Sequence, residues 1–412
     1  MIPSFAFVGT IVFTLEIPLY IVYLLVGPAF WVLIWVLMGS SRRGMNLLGK
    51  TAGAIPEPGP RVTVIVPAKD EGERIRGCLS SILAQDYSRF SVLAVDDRSE
   101  DGTGRVMDEM AAGDSRLRVL HIEELPAGWT GKNNALYRAA ARAEGEWLLF
   151  IDSDVILEPA ALSTTLRVAI GRRYDLLSLI LRHETRGVWE GAIVPLASTA
   201  IGAAHFIGLS NSDSNDYYFG NGQFMLFDRK KYDLIGGHEA VRTEFNEDMA
   251  LVRVMKRAGL RPRIAWGERM GRVRMYDSLG SIMRGWSRIF YGSSSGSPWR
   301  SLLVMLVILV GGYSCLGALG WGIFAGVHHV GIWDGKPWLV LAGIHWVLMT
   351  VQIGVMYRWM GARAAYAAAF LVTGLFVLVI LGWAVWMCFT GRVNWRGTKY
   401  SHKIEGSAGA AG

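Results

Sequence analysis

Apolar residues gather at the two ends of this chain in blocks long enough to cross a bilayer, which excludes a fold built on a single water-soluble core. From Ile2 to Met38 the single charge is Glu16, and Arg42, Arg43 and Lys50 follow. About 20 apolar residues make a spanning helix; the simplest choice is Leu19 to Met38, with Pro18 and Gly27-Pro28 as kink points. A cleavable signal peptide fits less well, because no basic segment precedes the run and no small-residue cleavage site follows it. The Arg42/Arg43/Lys50 cluster sets the middle of the chain in the cytoplasm by the positive-inside tendency. After Pro298 come Ser301 to Val327, Trp338 to Met356 and Ala364 to Phe389, each long enough to cross, with Trp299, Trp321, Trp338, Trp383 and Trp386 near their ends as interfacial anchors. Three crossings would carry Arg392, Arg396, Lys399 and Lys403 outside, so either one block is re-entrant or interfacial or the charge tendency fails; a cytoplasmic tail is the expectation.

The expected organisation is a membrane segment at 1–40, a Pro/Gly/Ala-rich linker at 41–60, a cytoplasmic domain at 61–297, about three helices at 298–390 and a basic tail at 391–412. The membrane is the inner or plasma membrane of a cell. A net charge of +7 raises the question of nucleic acid. The basic residues sit beside apolar runs and near a candidate phosphate site, so anionic headgroups and an anionic substrate fit, and nucleic acid does not. Cys78, Cys315 and Cys388 are scattered, with neither metal-ligand spacing nor a disulfide framework, as in a reducing compartment.

In the middle, strands and helices alternate at the spacing of βαβ units. Val62 to Val66 reads as a strand buried on both faces, Glu71 to Gln85 as a helix, and Ser91 to Val95 as the next strand, with a helix from about Gly104. Gly131 to Ala143 is helical and delivers the chain to an apolar run, Trp147 to Ile151, that ends in Asp152-Ser153-Asp154. A helix from Glu158 and strands near Leu176 to Leu181 and Gln223 to Phe227 complete a mostly parallel α/β sheet. Val188 to Leu209 is apolar but broken by Glu190, Pro195 and His205; it reads as a surface helix or hairpin facing lipid, or as a buried helix.

The chemistry lies at the strand ends, where open α/β sheets place ligands. Asp96-Asp97, Asp152 and Asp154 would repel one another there without a cation to satisfy them. Magnesium takes one or two carboxylates plus substrate phosphates, so Asp152 and Asp154 suit a metal-bound diphosphate, and Lys132 adds positive charge. Alone, the Asp-x-Asp pair and the acidic turn are equally well read as solvated turns. Glu247 and Asp248 start an amphipathic helix, where acids favour the dipole, and one of them can accept a proton from an attacking hydroxyl.

Val64 to Glu71, Val95 to Thr103, Gly131-Lys132, Asp152-Ser153-Asp154 and Glu247-Asp248 occur in the order that resembles family 2 glycosyltransferases with a GT-A fold, over about Arg61 to Gly292. Ile235-Gly236-Gly237-His238, Gly285 to Gly292 and Asn394 to Gly397 resemble the membrane-bound branch that holds hopanoid-associated, ceramide-type and carotenoid-type enzymes. The resemblance implies a nucleotide pocket lined by Pro67, Ala68 and Glu71, Asp96 near base or ribose, Asp154 with Asp152 on Mg2+ or Mn2+, and Asp248 as general base of an inverting transfer. It also implies a nucleotide-sugar donor and a membrane lipid acceptor. Processive members carry Gln-x-x-Arg-Trp; set on Arg288, that pattern meets Gly285 for Gln and Ile289 for Trp. Arg284, Trp286 and Arg288 remain candidates for the acceptor or diphosphate, and transfer of one or few sugars is expected. Rival readings are a polyprenyl-phosphate sugar transferase, a polysaccharide synthase, or a non-catalytic membrane scaffold binding a nucleotide sugar.

Overall fold

The computed structural model describes residues 4–49, 53–294, 297–395 and 398–401; Lys50, Arg396 and Lys403 of the basic clusters lie outside them. In chain order the strands are β1 (Val62–Ala68), β2 (Phe90–Asp97), β3 (Leu117–Ile122), β4 (Trp147–Ile151), β5 (Val155–Leu157), β6 (Leu176–Ile180), β7 (Arg182–His183), β8 (Phe224–Asp228), β9 (Pro262–Trp266), β10 (Gly271–Val273), and a C-terminal pair, β11 (Arg392–Trp395) and β12 (Thr398–Ser401). Seven of them form one sheet in the order β3-β2-β1-β4-β8-β6-β9. β8 runs antiparallel to β4 and β6, while the other pairings are parallel. β5, β10 and β7 make a small second sheet that follows directly on Asp154.

Strand alternation divides the core into two layers. Val64, Val66, Val92 and Ala94 face Ile75, Leu79, Met107 and Leu166, from the helices Gly72–Leu83, Thr103–Gly113 and Ala161–Arg172. Ile65, Leu93, Val95 and Phe150 face Leu136, Ala139, Leu251 and Met255, from the helices Gly131–Ala140 and Glu247–Arg257. Because β1, β2 and β4 are parallel and neighbouring, their C-terminal ends open on one edge. That register gathers Pro67 to Glu71, Asp97 and Asp152 to Asp154 from distant parts of the sequence.

β3 and β9 escape the apolar-run reading. β3 is an edge strand with Arg118 and His121 exposed, and β9 begins at Pro262 and carries Arg263 inward. Arg263 is buried because its guanidinium meets both oxygens of Asp213 at 2.7 Å.

Among the described residues, four helical stretches are long and apolar enough to cross a membrane: Leu15–Met45, Pro298–His328, Trp333–Trp359 and Ala364–Thr390. The first belongs to two helices, Ser4–Val26 and Pro28–Met45, that break at the expected Gly27-Pro28. The second helix runs through Arg42 and Arg43, so the linker starts after Met45 rather than at 41. Basic side chains in a last helical turn complement its dipole, and Arg42 also lies 4.4 Å over the Trp359 ring.

The helix Val188–Ala204 is not a free surface helix. Ile193, Val194, Leu196, Ala197 and Ile201 are buried against the helices Leu279–Ser293, Lys336–Trp359 and Phe370–Thr390, and the helix is exposed only near its ends, at Val188, Trp189 and Ala203. Glu190 is tolerated in this apolar setting because Arg274 reaches it at 2.9 and 3.2 Å and the Arg186 N–H donates to it. Ser287 donates to the Ile380 carbonyl at 3.1 Å, so the helix Leu279–Ser293 packs in one cluster with the apolar helices.

Candidate active site

Two loops at the sheet edge are laced together before any ligand is considered. The Glu71 N–H donates to Thr103 Oγ1 (2.8 Å), the Gly72 N–H to Asp101 Oδ2 (3.0 Å), and the Glu100 N–H to Asp70 Oδ1 (2.8 Å). Gly102 makes the turn at φ 90°, a conformation that residues with a β-carbon rarely adopt. Asp101 is thus a loop-building residue: burial raises its carboxyl, but the hydroxyl and N–H donors outweigh it and hold the group below the usual range.

A cavity of about 670 Å3 opens on this edge and is lined by Pro67, Ala68, Glu71, Asp97, Lys132, Asp152, Asp154, Glu247 and Asp248. Pro67, Ala68 and Glu71, the residues expected at a nucleotide pocket, line this cavity. Asp96 does not: its carboxylate accepts from the Ser99 N–H (3.2 Å) and pairs with His121 (3.1 Å), and the carboxylate at the cavity wall is that of Asp97. Strand alternation carried the signal, since Asp97 shares its face with Leu93 and Val95, beside the helix that begins at Gly131. A β-carbon at Gly131 would lie 2.5 Å from Asp97 Oδ2, so only glycine lets that helix start so close.

Lys132 bridges the two acidic motifs. Its Nζ is 2.7 Å from Asp152 Oδ1 and 2.6 Å from Glu247 Oε1. Opposite charges at that separation favour the charged forms, so Lys132 remains protonated and joins the end of β4 to the start of the helix Glu247–Arg257. Asp154, one residue past Ser153, lies outside that bridge. Burial, then Asp152 and Glu71, push its carboxyl up to about 7. Asp248 is pushed up to about 7 by burial and Glu247, against the opposing pull of Lys132. It is held from both sides: Gly222 N–H donates to Oδ2 at 2.8 Å and Met249 N–H to Oδ1 at 2.7 Å. Gly222, on the turn before β8, is a site residue that strand reading alone passed over; its Asn-Gly pair was the available signal.

A divalent cation suits this donor set. Burial and Asp152 raise the proton affinity of Asp154, which a dication would relieve, while among the described residues no group of three or more His, Cys, Asp or Glu is placed to hold a metal ion by itself. Two carboxylates with the remaining positions taken by phosphate and water are the usual magnesium arrangement.

The helix Leu279–Ser293 sends Gly285, Trp286, Arg288 and Ile289 to the same cavity, whereas Arg284 is exposed and lies away from it. Beyond them the wall turns apolar: Ile34, Leu37 and Met38 from the first long helix, Ile201, Gly202 and Phe206, and Met356, Trp359 and Met360. His183 faces this arm with Nε2 3.0 Å from Ser198 Oγ; burial lowers its pKa to about 4, so the ring is neutral.

A mostly parallel sheet between two helical layers, with one reversed strand and an acidic C-terminal edge, is the GT-A type of glycosyltransferase fold. Residues 59–274 match the glycosyltransferase-like family 2, and the chain belongs to that family as an enzyme. It is 27% identical to the 4,4'-diaponeurosporenoate glycosyltransferase of Staphylococcus aureus over 255 residues, 61% of this chain and 66% of that protein. The enzyme of the same name from Staphylococcus haemolyticus is 27% identical over 60% of this chain and 65% of its own length. The chain thus spans just under two thirds of these relatives. Among solved structures, a mannosyltransferase from Pyrobaculum calidifontis in complex with GDP-Man and Mn2+ is 19% identical, covering 88% of this chain and 98% of that one, with a TM-score of 0.47. Glucosyl-3-phosphoglycerate synthase from Mycobacterium tuberculosis, with Mn2+ and UDP-glucose, is 19% identical, covering 58% and 79%, with a TM-score of 0.41.

Proposed function

We propose that this enzyme transfers one sugar, with inversion, from a nucleotide-sugar donor to a hydroxyl of a membrane lipid at the cytoplasmic face. The observation that carries this reading is the continuous cavity that joins Asp154 and Asp248 to the apolar ends of helices long enough to cross a membrane. The likeness to 4,4'-diaponeurosporenoate glycosyltransferases supports the same reading. Arg42 and Arg43 in the last turn of the helix Pro28–Met45 support the cytoplasmic side.

Pro67, Ala68, Glu71 and Asp97 bind the nucleotide at the sheet edge, and Lys132 offsets the crowd of carboxylates there. Mg2+ or Mn2+ held by Asp154 and Asp152 would offset the negative charge that builds on the departing diphosphate. Asp248 takes the proton of the acceptor hydroxyl as the oxygen bonds to the anomeric carbon. The bond from that carbon to the diphosphate breaks on the opposite face, and its electron pair leaves with the nucleoside diphosphate. A base that titrates at about 7 is matched to this task at neutral pH.

At saturating cation, which keeps Asp154 deprotonated, Asp248 must still lose its proton to act, so kcat/KM is expected to fall about tenfold per pH unit below about 7 and to level off above it. A profile flat down to pH 5 would remove Asp248 from the role. The acceptor arm has its own test. Gly202 lines it, and a β-carbon added there would meet only Ile207 Cγ2 within 4 Å, at 3.6 Å, so Gly202→Trp starts from open space and is designed to fill the arm, with circular dichroism checking that the helix is kept. The KM for a long-chain lipid acceptor should rise about tenfold or more, an effect of about 1.4 kcal/mol, with the KM for nucleotide sugar unchanged. Equal change in both would show that the arm holds no acceptor.

A further inference from the structure

We propose that Tyr276 is the residue that limits this enzyme to a single sugar, by filling the space into which a growing saccharide would move. The inference rests on the transfer reading above and adds a specificity-determining residue to it. Gly285 is buried on the cavity side of the helix Leu279–Ser293. A β-carbon there would overlap the Cε1, Cζ and Oη atoms of Tyr276, so the phenol ring occupies the volume that any side chain at 285 would need. The resemblance to Gln-x-x-Arg-Trp fails at this same position, where glycine stands for glutamine. The glycine is the complement of the tyrosine: one gives up its side chain so that the other's ring can lie across the helix.

The ring is placed where donor and acceptor meet. Tyr276 lines the cavity with Trp286 and Arg288, and it packs against the apolar cluster of Ile282, Met283 and Trp286. Burial raises its phenol, and the charges acting on it are Arg288 from the helix and Asp154 from the acidic edge. It therefore stands at the junction of both, with an aromatic face for one sugar ring. A second transfer requires a hydroxyl of the first sugar to replace the lipid hydroxyl before Asp248, and the first sugar to move further along the helix. Tyr276 closes that direction, and the product leaves as a monoglycoside.

The experiment uses the full chain in detergent micelles with a bacterial total-lipid extract and radiolabelled nucleotide sugars, and separates lipid products by sugar number. Wild type and Tyr276→Phe should give one-sugar lipid only. Tyr276→Leu, which keeps the apolar packing but removes the ring, should shift the products to two and more sugars. The proposal is overturned if Tyr276→Leu makes one-sugar lipid alone at the wild-type rate, if it binds donor but transfers nothing, or if the wild type itself makes a ladder. Absence of any labelled lipid from the wild type would contradict the lipid-acceptor reading instead.

Discussion

Asp248→Asn is expected to cut transfer by about a thousandfold, within the range of roughly 10²–10⁴ that general-base catalysis supplies, while donor and cation binding survive. The carboxylate is fixed by the Gly222 and Met249 N–H groups, 2.8 and 2.7 Å away, and by its place at the start of the helix Glu247–Arg257. An amide fits that volume but cannot take the proton. Glu247, whose Oε1 pairs with Lys132 at 2.6 Å, is the other carboxylate at this helix start, and Glu247→Gln on the same assay tells the two apart. Transfer assays and nucleotide titration on one preparation separate the two effects. A variant that turns over normally would move the base elsewhere, and one that also loses donor binding would mark Asp248 as a binding group.

The second large effect has opposite signs on function and stability. Asp154→Ala is expected to abolish cation-dependent donor binding and to reduce transfer by about a thousandfold, on the order of 4 kcal/mol of transition-state stabilisation. The thermal midpoint should stay level or rise, because the substitution removes a buried carboxyl that burial, Asp152 and Glu71 push up to about 7. Linkage makes the wild type testable too. A carboxyl with a raised folded pKa gives stability below its unfolded value and loses it as pH rises through about 7. Cation binding requires the deprotonated form, so affinity should climb with pH through the same window and release a proton near neutrality. Calorimetry in buffers of different ionisation enthalpy reads that proton; unaltered cation titration in Asp154→Ala would sink the assignment.

Sequence periodicity made the central strands legible because β1, β2 and β4 are buried on both faces and read as continuous apolar runs. β3 and β9 were not, since an edge strand keeps polar residues and Arg263 hides its charge by pairing with Asp213, 50 residues away in sequence. The Asp152/Asp154 and Glu247/Asp248 motifs were visible, and their convergence on one cavity is what the fold adds. The Gly131 turn marks Lys132 as a diphosphate partner in the sequence, yet its bridge to Glu247 crosses 115 residues and depends on the tertiary placement of two helices. Arg284 looked equivalent to Arg288 one turn away, but the helix presents only the latter to the cavity. Gly285 stood out by departing from a motif, and only the fold shows that Tyr276 explains it.

The most direct test is to incubate membranes containing the full chain with a panel of labelled nucleotide sugars and Mg2+ or Mn2+, then extract with organic solvent. The account expects one donor to label a lipid carrying a single sugar, with label lost in Asp248→Asn and on chelation of the cation. Label confined to free sugar or to a water-soluble polymer, with that donor consumed, would contradict it.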